Sequence, residues 1–326
     1  MPDPRSFPHR EPTPYHLMLR TWDYAWWRPV VGILVAVVSF FVGASLVYIA
    51  VVALYALFQS GDWLDAFLDS ADFDDVGPGA LLGLNVGIGS MILVTWLIMR
   101  VVHRMRPRWL ASVVPRMRWA FFGICLGIAV VALVAQVLVG LLLPGSTGED
   151  DLAGRVNDFT LSTALSAVVV LLTTPFQAAG EEYLFRGYLM QAFGSLFRSR
   201  WVAILATATL FAFAHGSQNF PLFFDRFAFG LIAGWLVTRT GGLEAGIALH
   251  VLNNFLAFGL ALAFGDLSSA LNVSAVSWWH IVLTVTQSGV YTVLVLLVAG
   301  RMHLQTRTRP PHEEPDPSAG AVAATA

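Results

Sequence analysis

Long apolar runs separated by short polar stretches make up most of this chain. A hydrocarbon layer of about 30 Å takes about 20 apolar residues per helix. Runs at roughly 30–58, 79–102, 118–143, 160–180, 201–217, 221–239, 243–265 and 277–300 meet or approach that length. The pattern predicts an all-α fold, a polytopic integral membrane helical bundle of about eight transmembrane helices. The first run exceeds one span and has to tilt or protrude. Residues 1–28 are polar, with prolines and arginines, and are not expected to act as a cleaved signal.

Composition agrees with a membrane protein. Of 326 residues, 56% are hydrophobic and 12% charged, against about 25% charged in soluble domains. A net charge of -2 says little in itself, because the distribution matters more than the sum, and no nucleic-acid partner is expected. The one cysteine, Cys125, lies in an apolar run and is expected to be a buried, inert thiol.

Loop charges alternate. Arginines fall in 1–28, in 100–118, at Arg198 and Arg200, at Arg239, and at Arg301, Arg307 and Arg309. The loop 59–78 holds Asp62, Asp65, Asp69, Asp72, Asp74 and Asp75 with no arginine, and 144–158 is acidic apart from Arg155. Arginine-rich loops stay cytoplasmic. Both termini are therefore expected in the cytoplasm of a multi-pass protein, with a bacterial plasma membrane as its setting.

Few ionisable residues remain inside the spans: Glu181, Glu182, Arg186, His215 and His250, with Asp225, Arg226 and Glu244 near helix ends. Such groups are expensive in a bilayer and face cavities or one another. In a helix, Glu182 and Arg186 are i,i+4 neighbours, while Glu181 is turned away by about 100°. An internal Glu182–Arg186 pair is expected, leaving Glu181 as an unpaired carboxylate suited to act as a base. Phe211 and His215 share a face, as do His250 and Asn254. Counting along the helices lets Glu181, His215, His250 and Asn254 meet toward the cytoplasmic side, with Pro175 and Gly180 kinking the helix that carries the glutamates. Each residue also has a plainer reading. The charge cluster could be structural, and either histidine could simply pack. Phe211 is expected to pack, Asp225 and Arg226 to pair locally, Glu244 to suit a helix N-terminus, and His280 to anchor at the interface beside Trp278 and Trp279.

Glu181-Glu182-x-x-x-Arg186, Phe211-x-x-x-His215 and His250-x-x-x-Asn254, in that order, resemble the three motifs of the CaaX-protease and bacteriocin-processing family (CPBP, or Abi). The resemblance covers roughly 158–266 and implies an intramembrane endopeptidase. It implies that Glu181 and His215 activate a water, that His250 and Asn254 stabilise the oxyanion, and that Glu182 and Arg186 shape the site. Together with the hydrophobic pattern, this divides the chain into a cytoplasmic segment 1–28, three helices with their loops in 29–158, a CPBP-like core 159–266 on which alone the resemblance bears, a last helix in 267–303 and a disordered tail 304–326. A glutamate-activated water with no obligatory metal is the reading taken. Zn²⁺ on Glu181, His215 and His250 is the alternative, although the compact H-E-x-x-H spacing is missing. Expected partners are membrane lipids and a peptide or membrane-protein substrate cut near the cytoplasmic face. Two other classes compete: a non-catalytic scaffold or immunity protein, and a proton-coupled transporter. A transporter would show repeated halves, and no repeat is visible.

Overall fold

A computed structural model describes residues 8–72, 74–144 and 156–309. Most of the acidic stretch 144–158 and of the expected disordered tail 304–326 therefore lies outside the described residues, as do residues 1–7. The described chain is helical, with no strand and two isolated β-bridges. Ten helices are numbered here in chain order. They are α1 (Trp27–Ala56), α2 (Trp63–Ser70), α3 (Pro78–Val101), α4 (Trp119–Gly140), α5 (Leu161–Phe197), α6 (Arg200–Phe213), α7 (Phe220–Thr240), α8 (Glu244–Phe264), α9 (Leu267–Leu271) and α10 (His280–Arg301).

Seven of these are long and apolar enough to cross a membrane, namely α1, α3, α4, α5, α7, α8 and α10. The fold is the expected multi-pass bundle, with one correction to the helix count. The fifth expected span is α6, only 14 residues, or about 21 Å. Its predecessor compensates. The sequence ends the fourth helix near Gly180, where Pro175 and the charges lie, but α5 runs on to Phe197 over 37 residues. Tyr183–Leu189 within it is a π turn, a widening frequent at functional sites. Arg198, in the left-handed conformation with φ 57°, caps it.

Alternate loops gather at two ends. At one end the N-terminal segment bridges Pro14 to Arg307, Thr13 bonds Thr308, and the Tyr15 hydroxyl donates to the Leu110 carbonyl. Ser112 bridges Gly242, Val113 N–H donates to Gly241 O at 2.8 Å, and Arg20 donates to Ser195 O at 2.7 Å. This is the arginine-rich end. At the other end Val76 N–H donates to Ser268 Oγ at 2.9 Å. Asn157 donates to Leu262 and Gly265 carbonyls, and Asn219 to Val276 O. The described loops at this end carry Asp62, Asp65, Asp69, Asp72, Asp74, Asp75, Asp158 and Asp266 and no arginine. Asp62 also caps α2, accepting from Leu64 N–H at 2.8 Å.

Glycines let the helices around the charged stretch approach closely. A Cβ on Gly180 would lie 2.5 Å from Ile88 O, so α3 crosses α5 backbone to backbone there. A Cβ on Gly246 would lie 2.7 Å from Glu182 Oε2, so α8 presents bare backbone to that carboxylate.

Candidate active site

Glu181, Glu182 and Arg186 sit at mid-length of α5 and are all buried. Helix phase separates the two glutamates as expected. Arg186 Nη1 donates to Glu182 Oε1 at 2.9 Å, with both side chains fully enclosed. Three rings surround the guanidinium: Phe211 at 4.1 Å, Phe229 at 5.1 Å and Phe185 at 5.9 Å from their centroids. Phe211 thus does more than fill space. Its face meets the cation and its edge contacts His215, centroids 4.7 Å apart.

Glu181 turns toward a cavity of about 540 Å³, which His215, His250 and Asn254 also line. Its Oε1 accepts from Gln177 Nε2 at 2.7 Å, and Gln177 Oε1 in turn accepts from Asn254 Nδ2 at 2.8 Å. Its Oε2 has no hydrogen-bond partner. Gln177 escapes a sequence reading based on ionisable groups. The available signal is its position four residues before Glu181, on the same helix face.

His250 joins the two glutamates. Its Nδ1 lies 3.0 Å from Glu182 Oε1, and its Nε2 lies 3.5 Å from Glu181 Oε2. Phe229 packs edge-on against the ring at 4.9 Å between centroids. His215 follows the end of α6, and its Nδ1 lies 2.8 Å from Phe211 O. A carbonyl oxygen only accepts, so Nδ1 carries the proton and Nε2 is left as a lone pair. The plain reading of a histidine tied to a backbone carbonyl therefore describes one nitrogen, and the other is free for chemistry. All four residues expected to be catalytic share one cavity. Glu181 and His215 form no ion pair within it. Among the described residues no group of three or more His, Cys, Asp or Glu side chains is placed to hold a metal ion.

The other charged groups differ from the sequence reading. Asp225 does not pair with Arg226. It accepts from Thr284 Oγ1 at 2.5 Å and lies 3.6 Å from His280 Nε2, so His280 serves as its partner as well as sitting beside Trp278 and Trp279. Arg226 donates to Gln218 Oε1 at 2.8 Å. Both side chains line the same cavity, but their hydrogen-bond partners are on other segments. Glu244 starts α8 as expected, but its main partner is Arg118, which grips it at 2.8 and 2.6 Å through Nε and Nη2. Cys125 is buried.

A buried Glu-Glu-Arg helix joined to a histidine on α8, with a second histidine across a shared cavity, is the arrangement that three separate sequence motifs produce. Residues 163–256 match the family model described as type II CAAX prenyl endopeptidase, Rce1-like. That Rce1-like segment runs from the first turn of α5 into α8 and contains every residue of the constellation. A curated relative, the uncharacterized protein YyaK of Bacillus subtilis (strain 168), is 31% identical over 96 residues. The alignment covers 28% of this chain and 31% of that relative, so the chain spans about a third of the length of the relative it matches. No solved structure matches the chain.

Proposed function

We propose that this multi-pass membrane protein is an intramembrane endopeptidase that hydrolyses a peptide bond with a water activated by Glu181. The observation carrying this reading is the division of labour within the Glu181 carboxylate. Gln177 holds Oε1, while Oε2 is buried without a hydrogen bond, 3.5 Å from His250 Nε2. Glu181 Oε2 takes a proton from a water, and the hydroxide attacks the substrate carbonyl. The C–N bond then breaks, and the proton passes to the departing amine. The His215 Nε2 lone pair orients the same water. His250 is held by Glu182 through Nδ1 and turns Nε2 toward the developing oxyanion. Asn254 keeps a second Nδ2 hydrogen for the same purpose while its first holds Gln177. A base of this kind contributes about 10²–10⁴-fold and one oxyanion donor about 10²–10³-fold. No step requires a metal.

The test is cleavage of peptides, a prenylated CaaX peptide among them, by purified protein in detergent. Glu181→Gln keeps the Gln177 contact and should lose about 10²–10⁴ in rate while remaining folded. His215→Ala should lose activity similarly. Equal activity in wild type and both variants would remove the catalytic assignment. A stoichiometric metal in the wild type, absent from His215→Ala, would replace the metal-free chemistry.

A further inference from the structure

The cavity that holds Glu181 has a direction. Its walls between the long helices are Ala214 and His215, between α6 and α7, and Leu271, at the end of α9, with Val273 just after it. Leu222 and His280, on the first turns of α7 and α10, complete that rim. All these segments belong to the aspartate-bearing end. None of the cavity lining comes from the loops at the arginine-rich end, 102–118, 198–199, 241–243 and 302–309.

The arginine-rich side of the site is sealed. Arg186, Tyr188, Leu243, Leu110 and Tyr15 are buried there. Above them the loops are tied together by the Ser112–Gly242 bridge and by Leu243 N–H donating to Ala111 O at 2.9 Å. Depth agrees with access from the other end. Gln287 is seven residues into α10 and donates to Asn253 at 2.7 Å. That level is about 10 Å below the start of α10, and His250 lies about one turn deeper.

Arginine-rich loops remain in the cytoplasm. We infer that the site is loaded from the extracytoplasmic side, and that its substrates are translocated peptides or outward-facing segments of membrane proteins. The direction of access stands on the lining and the loop charges, whereas the substrate class rests on the peptidase reading above. This places the mouth opposite to the cytoplasmic position expected from helix counting.

Cysteine accessibility tests the direction without any substrate. In a Cys125→Ala background, Ser217→Cys and Val273→Cys report on the mouth and Arg116→Cys on the opposite end. Intact cells are treated with a membrane-impermeant maleimide, and permeabilised cells give the full signal. Ser217→Cys and Val273→Cys should react in intact cells, and Arg116→Cys only after permeabilisation. The reverse pattern, or mouth positions silent even after permeabilisation, would overturn the inference. In purified Val273→Cys, a bulky maleimide should also slow peptide cleavage at least several-fold. The expected labelling with no cleavage by any variant would remove the peptidase reading and leave the direction of access standing.

Discussion

Removing the Arg186 cation should unfold this protein more readily than removing the whole ion pair. Glu182 and Arg186 are completely enclosed, and Glu182 Oε2 has no hydrogen-bond partner. In Arg186→Met the Glu182 carboxylate would keep only His250, at 3.0 Å. Breaking a buried pair from one side costs about 3–5 kcal/mol, whereas replacing both partners with neutral groups of similar volume is close to neutral. Glu182→Gln retains an oxygen for His250 Nδ1–H, so the double variant Glu182→Gln/Arg186→Met leaves no isolated charge. At roughly 2–4 °C per kcal/mol for chains of 150–250 residues, Arg186→Met should melt at least about 6 °C below wild type. The double variant should recover most of that loss. Tryptophan fluorescence during thermal unfolding in detergent would report it. An Arg186→Met protein as stable as wild type, or a double variant as unstable as the single, would show that the pair is not the electrostatic unit described.

Three further outcomes are expected. Gln177→Ala should lower kcat with little change in KM, because it frees Glu181 and Asn254 without altering the cavity mouth; a change confined to KM in steady-state kinetics would argue for a substrate-binding role instead. Gly180→Val should destabilise by at least about 1–3 kcal/mol, since its Cβ would meet Ile88 O at 2.5 Å, and a melting temperature equal to wild type would contradict the backbone-to-backbone crossing of α3 and α5. His103, in the loop after α3, is held down to about 4 by burial and by the Arg28 charge. Its neutral form is favoured in the fold, so its contribution is intact above the ordinary histidine pKa of about 6.5 and fades as pH falls toward 4; a His103→Phe variant should lose part of that acid sensitivity, read as the slope of melting temperature against pH.

Local periodicity carried much of the site. The pairs that share a helix face at i,i+4, Glu182 with Arg186 and Phe211 with His215, follow from spacing and are found in the fold. The split between the two glutamates follows from the same 100° step. What spacing does not carry is the choice of partner on another helix. Asp225 meets Thr284 and His280, and Glu244 meets Arg118, 126 residues away in sequence. Packing decides these pairs, and a neighbouring charge of opposite sign, such as Arg226 beside Asp225, does not by itself make the hydrogen-bonding partner. Gln177 is hard to recognise in the sequence for a different reason. An uncharged amide in an apolar helix is common enough to pass as packing, and only its bonds to Glu181 and Asn254 distinguish it.

The cover over the site bears on how far residue counting can place it. His250 is eight residues past Gly242, and a turn at the membrane surface would then put it close to the cytoplasm. Yet Leu243 and Glu244 are buried, covered by Ala111, Ser112 and Arg118 from the loop before α4. A turn roofed by protein is no measure of distance to water. At the other end the loop 265–279 leaves the cavity open although α8 runs 21 residues to reach it. Access to a buried carboxylate is set by which loops close over it, and here the arginine-bearing loops close while the aspartate-bearing loops part. If the arginine-rich end is cytoplasmic, as its charges lead one to expect, that asymmetry and the inferred direction of access go together.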